Sequence, residues 1–165
     1  MTSISFDDVL LVPQYSDIES RKVLTTSNKL GSIGLGLPII SSPMDTVTEV
    51  HMARAVDNHG GLGIVHRYNS IDEQATMVRE LSASICKNIG AAIGVTGDFL
   101  ERAQELVGSG ANVICIDVAH GHHSMTREAL RALKLTLGQP VHIMAGNVAT
   151  GKGACDLAEW GADSV

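Results

Sequence analysis

Apolar runs and amphipathic stretches alternate along this chain, and that rhythm restricts it to one fold class. The runs occupy residues 38–40, 61–65, 88–94, 112–116 and 141–145, and a sixth begins at Asp163. Between them lie stretches with helical periodicity at 47–58, 71–81, 99–107, 124–137 and 152–160. Their ends carry boundary signals. Ser70 with Glu73 reads as a capping box, Asp98 as an N-cap, and Gly60, Gly108, Gly138 and Gly161 as stops. Strands alternating with helices at this spacing build a parallel sheet with right-handed crossovers, so the class is α/β. Residues 1–30 lack the rhythm and read as an irregular arm with short extended pieces.

Doubly wound sheets and (β/α)8 barrels share this local pattern. A Rossmann-type fold places Gly-x-Gly-x-x-Gly between its first strand and the following helix. Here Gly60-Gly-Leu-Gly63 opens a strand instead. A complete barrel takes about 250 residues. The 165 residues hold five β/α units and the start of a sixth. With only 3% aromatic residues, the core has to be aliphatic.

A net charge of −6, with no basic cluster longer than Arg21-Lys22, gives nucleic-acid binding little electrostatic support. No apolar stretch approaches the roughly 20 residues that span a bilayer. Cys86, Cys115 and Cys155 fit neither a metal-site nor a disulfide spacing, and Cys115 lies within an apolar run as a core residue would. The odd count, with no signal peptide in the sequence, leads to the expectation of a reducing, cytoplasmic compartment.

In a parallel barrel the functional groups follow the strands. After the first run come Ser42, Met44 and Asp45, where a hydroxyl and a carboxylate can meet a ligand or satisfy the loop's own backbone. After the second come His66, Arg67 and Tyr68; a cation there binds phosphate or carboxylate, or stays solvated. After the fourth comes Asp117-Val-Ala-His-Gly-His-His123. His120 and His122 are too close for a helical His-x-x-x-His zinc site, and no metal is expected. Asp117 at a strand end is placed to accept hydrogen bonds from ribose hydroxyls. After the fifth comes Ala145-Gly-Asn-Val-Ala-Thr150, where Asn147 either meets a ligand or caps the next helix.

Six segments occur in an order that resembles the IMP dehydrogenase/GMP reductase family. They are Phe6-Asp-Asp-Val-Leu-Leu-Val-Pro13, Ile40-Ser-Ser-Pro-Met-Asp-Thr-Val-Thr-Glu49, Gly60-Gly-Leu-Gly-Ile-Val-His66, Gly90-Ala-Ala-Ile-Gly-Val95, Asp117-Val-Ala-His-Gly121 and Ala145-Gly-Asn-Val-Ala-Thr150. The resemblance implies a (β/α)8 TIM barrel, of which residues 1–165 are the first part, truncated after about five β/α units. It implies a homotetramer acting on purine nucleotides (IMP and XMP, or GMP); the spacing from Leu81 to Gly90 leaves no room for the regulatory domain that most dehydrogenases of the family insert there. Ser42, Met44 and Asn147 resemble contacts to the nucleotide. Asp117, Val118 and Ala119 resemble the segment that holds the nicotinamide cofactor. Arg67 occupies a basic cofactor-contact position, and Ser20-Arg21 resembles a pair that reaches a neighbouring subunit's cofactor.

The family's chemistry runs through a cysteine thiolate that attacks the purine C2, with hydride exchanged with the nicotinamide. Its cysteine follows the sixth strand, so none of the three cysteines here is expected to be the nucleophile. The chain alone is expected to be inactive, and a potassium ion is expected only in a full-length protein. Ser41-Ser-Pro43, Thr48-Glu49 and the double glycine at Gly60 resemble the dehydrogenases, which use NAD to oxidise IMP to XMP. Ser20-Arg21 and Asp117-Val-Ala119 resemble the reductases, which use NADPH to convert GMP to IMP. The dehydrogenase is the leading expectation, the reductase the alternative. A non-catalytic fragment is a third.

Overall fold

The computed structural model describes residues 5–84, 86–138 and 140–165. The first four positions of the expected arm lie outside the described residues. Two 3-10 turns, Phe6–Asp8 and Arg21–Val23, interrupt an otherwise extended arm. An antiparallel hairpin follows, β1 (Asn28–Leu30) and β2 (Ile33–Leu35). The chain then alternates through β3 (Ile40–Ser41), α1 (Val50–Asn58), β4 (Leu62–Val65), α2 (Ile71–Ser82), β5 (Ile89–Ile93), α3 (Phe99–Gly108), β6 (Val113–Asp117), α4 (Ser124–Leu137), β7 (His142–Gly146) and α5 (Gly151–Glu159).

Strands β3 to β7 pair in parallel and in sequence order. Each new strand adds to the same edge. Met144 forms a parallel bridge with Ser164, so a sixth strand starts on that edge too. A doubly wound sheet reverses its order and carries helices on both faces. Here the buried residues of all five helices join one cluster on one face, with Val65, Ala91, Ile93, Ile114, Ile116 and Ile143 of the strands. The other face carries Leu62, Ile64, Ala92, Val113 and Cys115, packed against Ile33 and Leu35 of the hairpin. These are the outer and inner layers of a curled half-barrel, with β1–β2 closing the inner layer at the N-terminal ends of the strands.

Strand β1 lies at the end of the expected irregular arm, residues 1–30, and β2 lies just beyond it, so the hairpin is a feature that the sequence pattern does not give. Its signal is local: Gly31, at φ +57°, turns the chain between Leu30 and Ile33. Upstream, Leu10, Leu11, Val12 and Tyr15 stand almost fully exposed.

Helix starts follow side-chain chemistry. Ser70 and Glu73 form the expected capping box, with Glu73 N–H donating to Ser70 Oγ at 3.2 Å and Ser70 N–H to Glu73 Oε2 at 2.9 Å. Asp98 precedes α3 without capping it, because Arg102, one turn on, takes its carboxylate. His123 caps α4 through Nδ1, which accepts from Met125 N–H at 3.1 Å. Thr150 caps α5, accepting from Gly153 N–H at 3.0 Å, so Asn147 is released from that role.

Gly63 faces outward onto α1, where a methyl group would overlap Ala53. Gly63→Ala is expected to destabilise the fold by about 1–3 kcal/mol through overpacking. The check is a lower urea midpoint with an unchanged slope.

His142 is buried on the inner layer beneath the Gly31 turn, with Nε2 2.9 Å from Ser164 Oγ. Burial holds its pKa below the ordinary 6.5; Asp163 opposes the shift and Lys134 adds to it. The unfolded chain therefore takes up a proton first as pH falls. The stability of the neutral state is complete above the unfolded pKa and declines as pH drops through about 6.5. Melting temperature is expected to fall between about pH 7.5 and about pH 5.5, and His142→Asn to flatten that slope.

Candidate active site

Four strand ends open into one cavity of about 880 Å³ at the C-terminal face of the sheet. Its floor is the inner layer itself, where Ile64, Cys115 and Met144 end the packed core. Its walls are the loops after β3, β4, β6 and β7. Ser42 and Met44 come from the first, Arg67 from the second, Asp117, Val118 and Ala119 from the third, and Asn147 from the fourth. Seven of the nine sequence-derived candidates thus line one space. Ser20 and Arg21 do not. They sit on the exposed arm, where Ser20 Oγ accepts from Lys22 N–H at 3.3 Å.

Each wall is pinned by groups behind it. In the loop after β3, the buried Thr48 hydroxyl donates to the Ser42 carbonyl at 2.6 Å, and Thr48 N–H donates to the Met44 carbonyl at 2.9 Å. Buried His66 joins this loop to the next. Its Nδ1 accepts from Tyr68 N–H at 3.1 Å, which leaves the proton on Nε2, 3.3 Å from Glu49 Oε1.

The loops after β6 and β7 are fastened by their backbones. Asn147 N–H donates to the Val118 carbonyl at 2.7 Å, Val118 N–H to Gly146 at 3.2 Å, and Gly121 N–H to Asn147 at 2.7 Å. A Cβ on Gly121 would lie 2.8 Å from the Gly146 carbonyl carbon, so only glycine permits this approach. His122 reinforces the junction through Asp156, at 2.7 Å. Lys152 and His122 both bond to the Asp156 carboxylate and hold its pKa below the usual range. His122 and His123 are thus engaged in holding loop and helix, and His120 lies edge-on to His123 at 6.3 Å.

Arg67 supplies the cavity's cation. Its guanidinium carbon lies 5.4 Å from the Tyr68 ring centroid, and its buried Nε has no hydrogen-bond partner among the described residues. Buried Ser41 Oγ at the same rim is also without one. Tyr68, Ser41 and Met144 were not assigned a role from sequence. Met144 is marked by inward alternation along β7, and Tyr68 by its place beside the cation.

Cys115 at the floor is 7% exposed. Burial, with the Asp117 charge adding to it, pushes its thiol up to about 12. It stays protonated near neutral pH and is a poor nucleophile there. A second open depression, of about 660 Å³, lies outside the barrel between the starts of α2 and α3 and touches no strand end.

This arrangement has known counterparts. The crystal structure of inosine 5'-monophosphate dehydrogenase from Legionella pneumophila superposes with a TM-score of 0.83 at 42% identity, over 98% of this chain and 49% of that one. Inosine-5'-monophosphate dehydrogenase of Borreliella burgdorferi is 29% identical over 99% of this chain and 52% of its own. GMP reductase of Paracidovorax citrulli is 32% identical over 100% of this chain and 50% of its own. The chain spans about half the length of the curated relatives it matches. The model of the IMP dehydrogenase / GMP reductase domain matches residues 3–165, essentially the whole sequence, and the chain belongs to that family.

Proposed function

We propose that residues 1–165 are part of one catalytic barrel, with an arm at 1–30, in a purine-nucleotide oxidoreductase. The leading reading is NAD-dependent oxidation of IMP to XMP. The observation that carries the oxidoreductase reading is the single cavity where Ser42, Met44 and Asn147 meet Asp117, Val118, Ala119 and Arg67; the dehydrogenase leads on Ser41-Ser-Pro43, Thr48-Glu49 and the double glycine at Gly60. A nucleotide and a dinucleotide must lie side by side for hydride to pass, and these loops give each a wall. GMP reduction with NADPH is the second reading, favoured by Asp117-Val-Ala119 and by Ser20-Arg21, proposed to reach the cofactor of a neighbouring subunit in a homotetramer.

The residues present fit a dinucleotide. Arg67 offers an unpartnered buried N–H beside the cavity, and a guanidinium fork suits phosphate. Asp117 offers a carboxylate to ribose hydroxyls, and Val118 and Ala119 offer small apolar surface. The nicotinamide, when bound, supplies the hydride acceptor or donor. Ser42 and Asn147 orient the purine nucleotide, and Met44 packs beside it. The inner-layer floor excludes water from below. None of the three thiols suits the attack on C2: Cys115 is buried and protonated, while half-buried Cys86 and exposed Cys155 lie outside the cavity lining. We therefore assign the nucleophile to none of them. Free thiols throughout also suit a reducing cytoplasm. No helix among the described residues is long and apolar enough to cross a membrane.

The test is product analysis of protein made from the complete reading frame. IMP with NAD is expected to yield XMP and NADH; IMP and ammonia from GMP with NADPH would assign the reductase. Nucleotide binding with neither turnover would favour a non-catalytic product. Asp117→Ala is expected to raise the dinucleotide KM by about tenfold, the worth of one lost charged hydrogen bond, and the nucleotide KM far less. An equal rise in both would remove Asp117 from the cofactor side.

A further inference from the structure

Two segments adjoin Arg67 at the cavity: its own loop, 66–70, and the end of β5. A Cβ on Gly94, just past β5, would lie 3.6 Å from Arg67 Nη1. Both segments lead back to one pair of buried polar side chains outside the cavity. Gln74 on α2 is fully buried, and Arg102 on α3 is 8% exposed. Gln74 Nε2 donates to the Ala92 carbonyl in β5 at 2.8 Å and, more weakly, to the Val65 carbonyl in β4 at 3.4 Å. Its Oε1 accepts from Arg102 Nη1 at 2.8 Å. Arg102 Nη2 donates to the Asn69 carbonyl and to Asp98 Oδ2, each at 3.1 Å.

An amide and a guanidinium in an aliphatic layer are costly unless every polar group is satisfied. Apolar side chains of similar volume commonly hold such a layer at least as well. What the polar pair adds is direction. It grips carbonyls on β4, on β5 and in the Arg67 loop at once. We propose that Gln74 and Arg102 are positioning residues for the dinucleotide side of the cavity, fixing loop 66–70 against the end of β5 so that Arg67 is set for an anionic group of that ligand. The proposal rests on the reading of the cavity given above. The pair reaches the ligand only through Arg67.

The experiment measures equilibrium binding of NAD, NADPH, IMP and GMP to the purified protein, with amide hydrogen exchange across 66–70. Arg102→Met removes the fork, and Arg102→Lys keeps the charge without it. Gln74→Glu keeps the acceptor facing Arg102 and removes the donors to Ala92 and Val65. Arg102→Met is expected to weaken dinucleotide binding about tenfold while nucleotide binding shifts by about twofold or less. Arg102→Lys should fall between, and exchange in 66–70 should quicken in step. Should Arg102→Met fail to fold, Gln74→Glu gives the same separation of the two ligands. Equal weakening of both ligands would mean a general structural role and overturn the proposal, as would unchanged exchange at 66–70. A wild-type protein that binds nucleotide but no dinucleotide would sink the cavity assignment instead. The exchange data would still decide whether the pair fixes the loop.

Discussion

A parallel sheet has to be buried on both faces, and this molecule is organised around that requirement. The crossover helices cover the outer face with Ala53, Val78, Leu106, Leu130, Leu133 and Leu157. The inner face has no helix to cover it. It curls on itself and takes the β1–β2 hairpin as a plug, with Ile33 and Leu35 meeting Leu62, Ile64 and Val113. Small residues make the curl fit: Gly63 admits α1 on the outside, and Ala92 leaves room among the larger inner side chains. Where the packed inner layer stops, at Ile64, Cys115 and Met144, the cavity begins. Core and site are two ends of one layer.

The loops around that cavity are held by polar groups placed behind them. Thr48 holds the Ser42 loop, His66 joins it to the Arg67 loop, and interlocked backbones join the Asp117 and Asn147 loops. The Thr48 and His66 side chains are buried, so their bonds compete less with water than the same bonds at the surface. The cation of the site, by contrast, keeps an N–H unspent. Fixed surroundings with a few unsatisfied donors are what a ligand with phosphates and hydroxyls needs, since little reorganisation opposes binding.

Much of this was legible from local chemistry. The capping box at Ser70 and Glu73, the span of α4, and the polar residues that follow each apolar run involve neighbours in sequence. Strand polarity points to the cavity's end of the sheet, but the family resemblance selected which strand-end residues to name; the seven so named line one cavity, while Asp45 and His66, equally strand-end residues, do not. What was not legible has long-range causes. Asp98 carries a strong N-cap signal, but Arg102 takes its carboxylate as part of a network running to Gln74 and β5. For Asn147 the sequence left a ligand contact and a helix cap open; Thr150 takes the cap, and the Asn147 backbone is committed to Val118 and Gly121 on another loop. Strand β1 falls in the expected arm of residues 1–30 and β2 just past it; each is only three residues long, and the burial of Ile33 and Leu35 comes from a face they meet only after folding.

The sequence by itself determined the α/β class, the parallel direction of the strands, and which residues end them. These follow from periodicity, chain length between runs and the fixed hand of the crossover. Periodicity alone left a barrel and a doubly wound sheet open and the family resemblance implied the barrel; only the tertiary structure shows the edge-by-edge pairing that makes it one. Each β/α unit is locally the same in both. The difference is whether every new strand joins the same edge, and that depends on how inner-face volumes such as Ala92, Cys115 and Ile33 fit together across distant parts of the chain. The same long-range fit, and not any motif, brought the Asp117 and Asn147 loops into backbone contact.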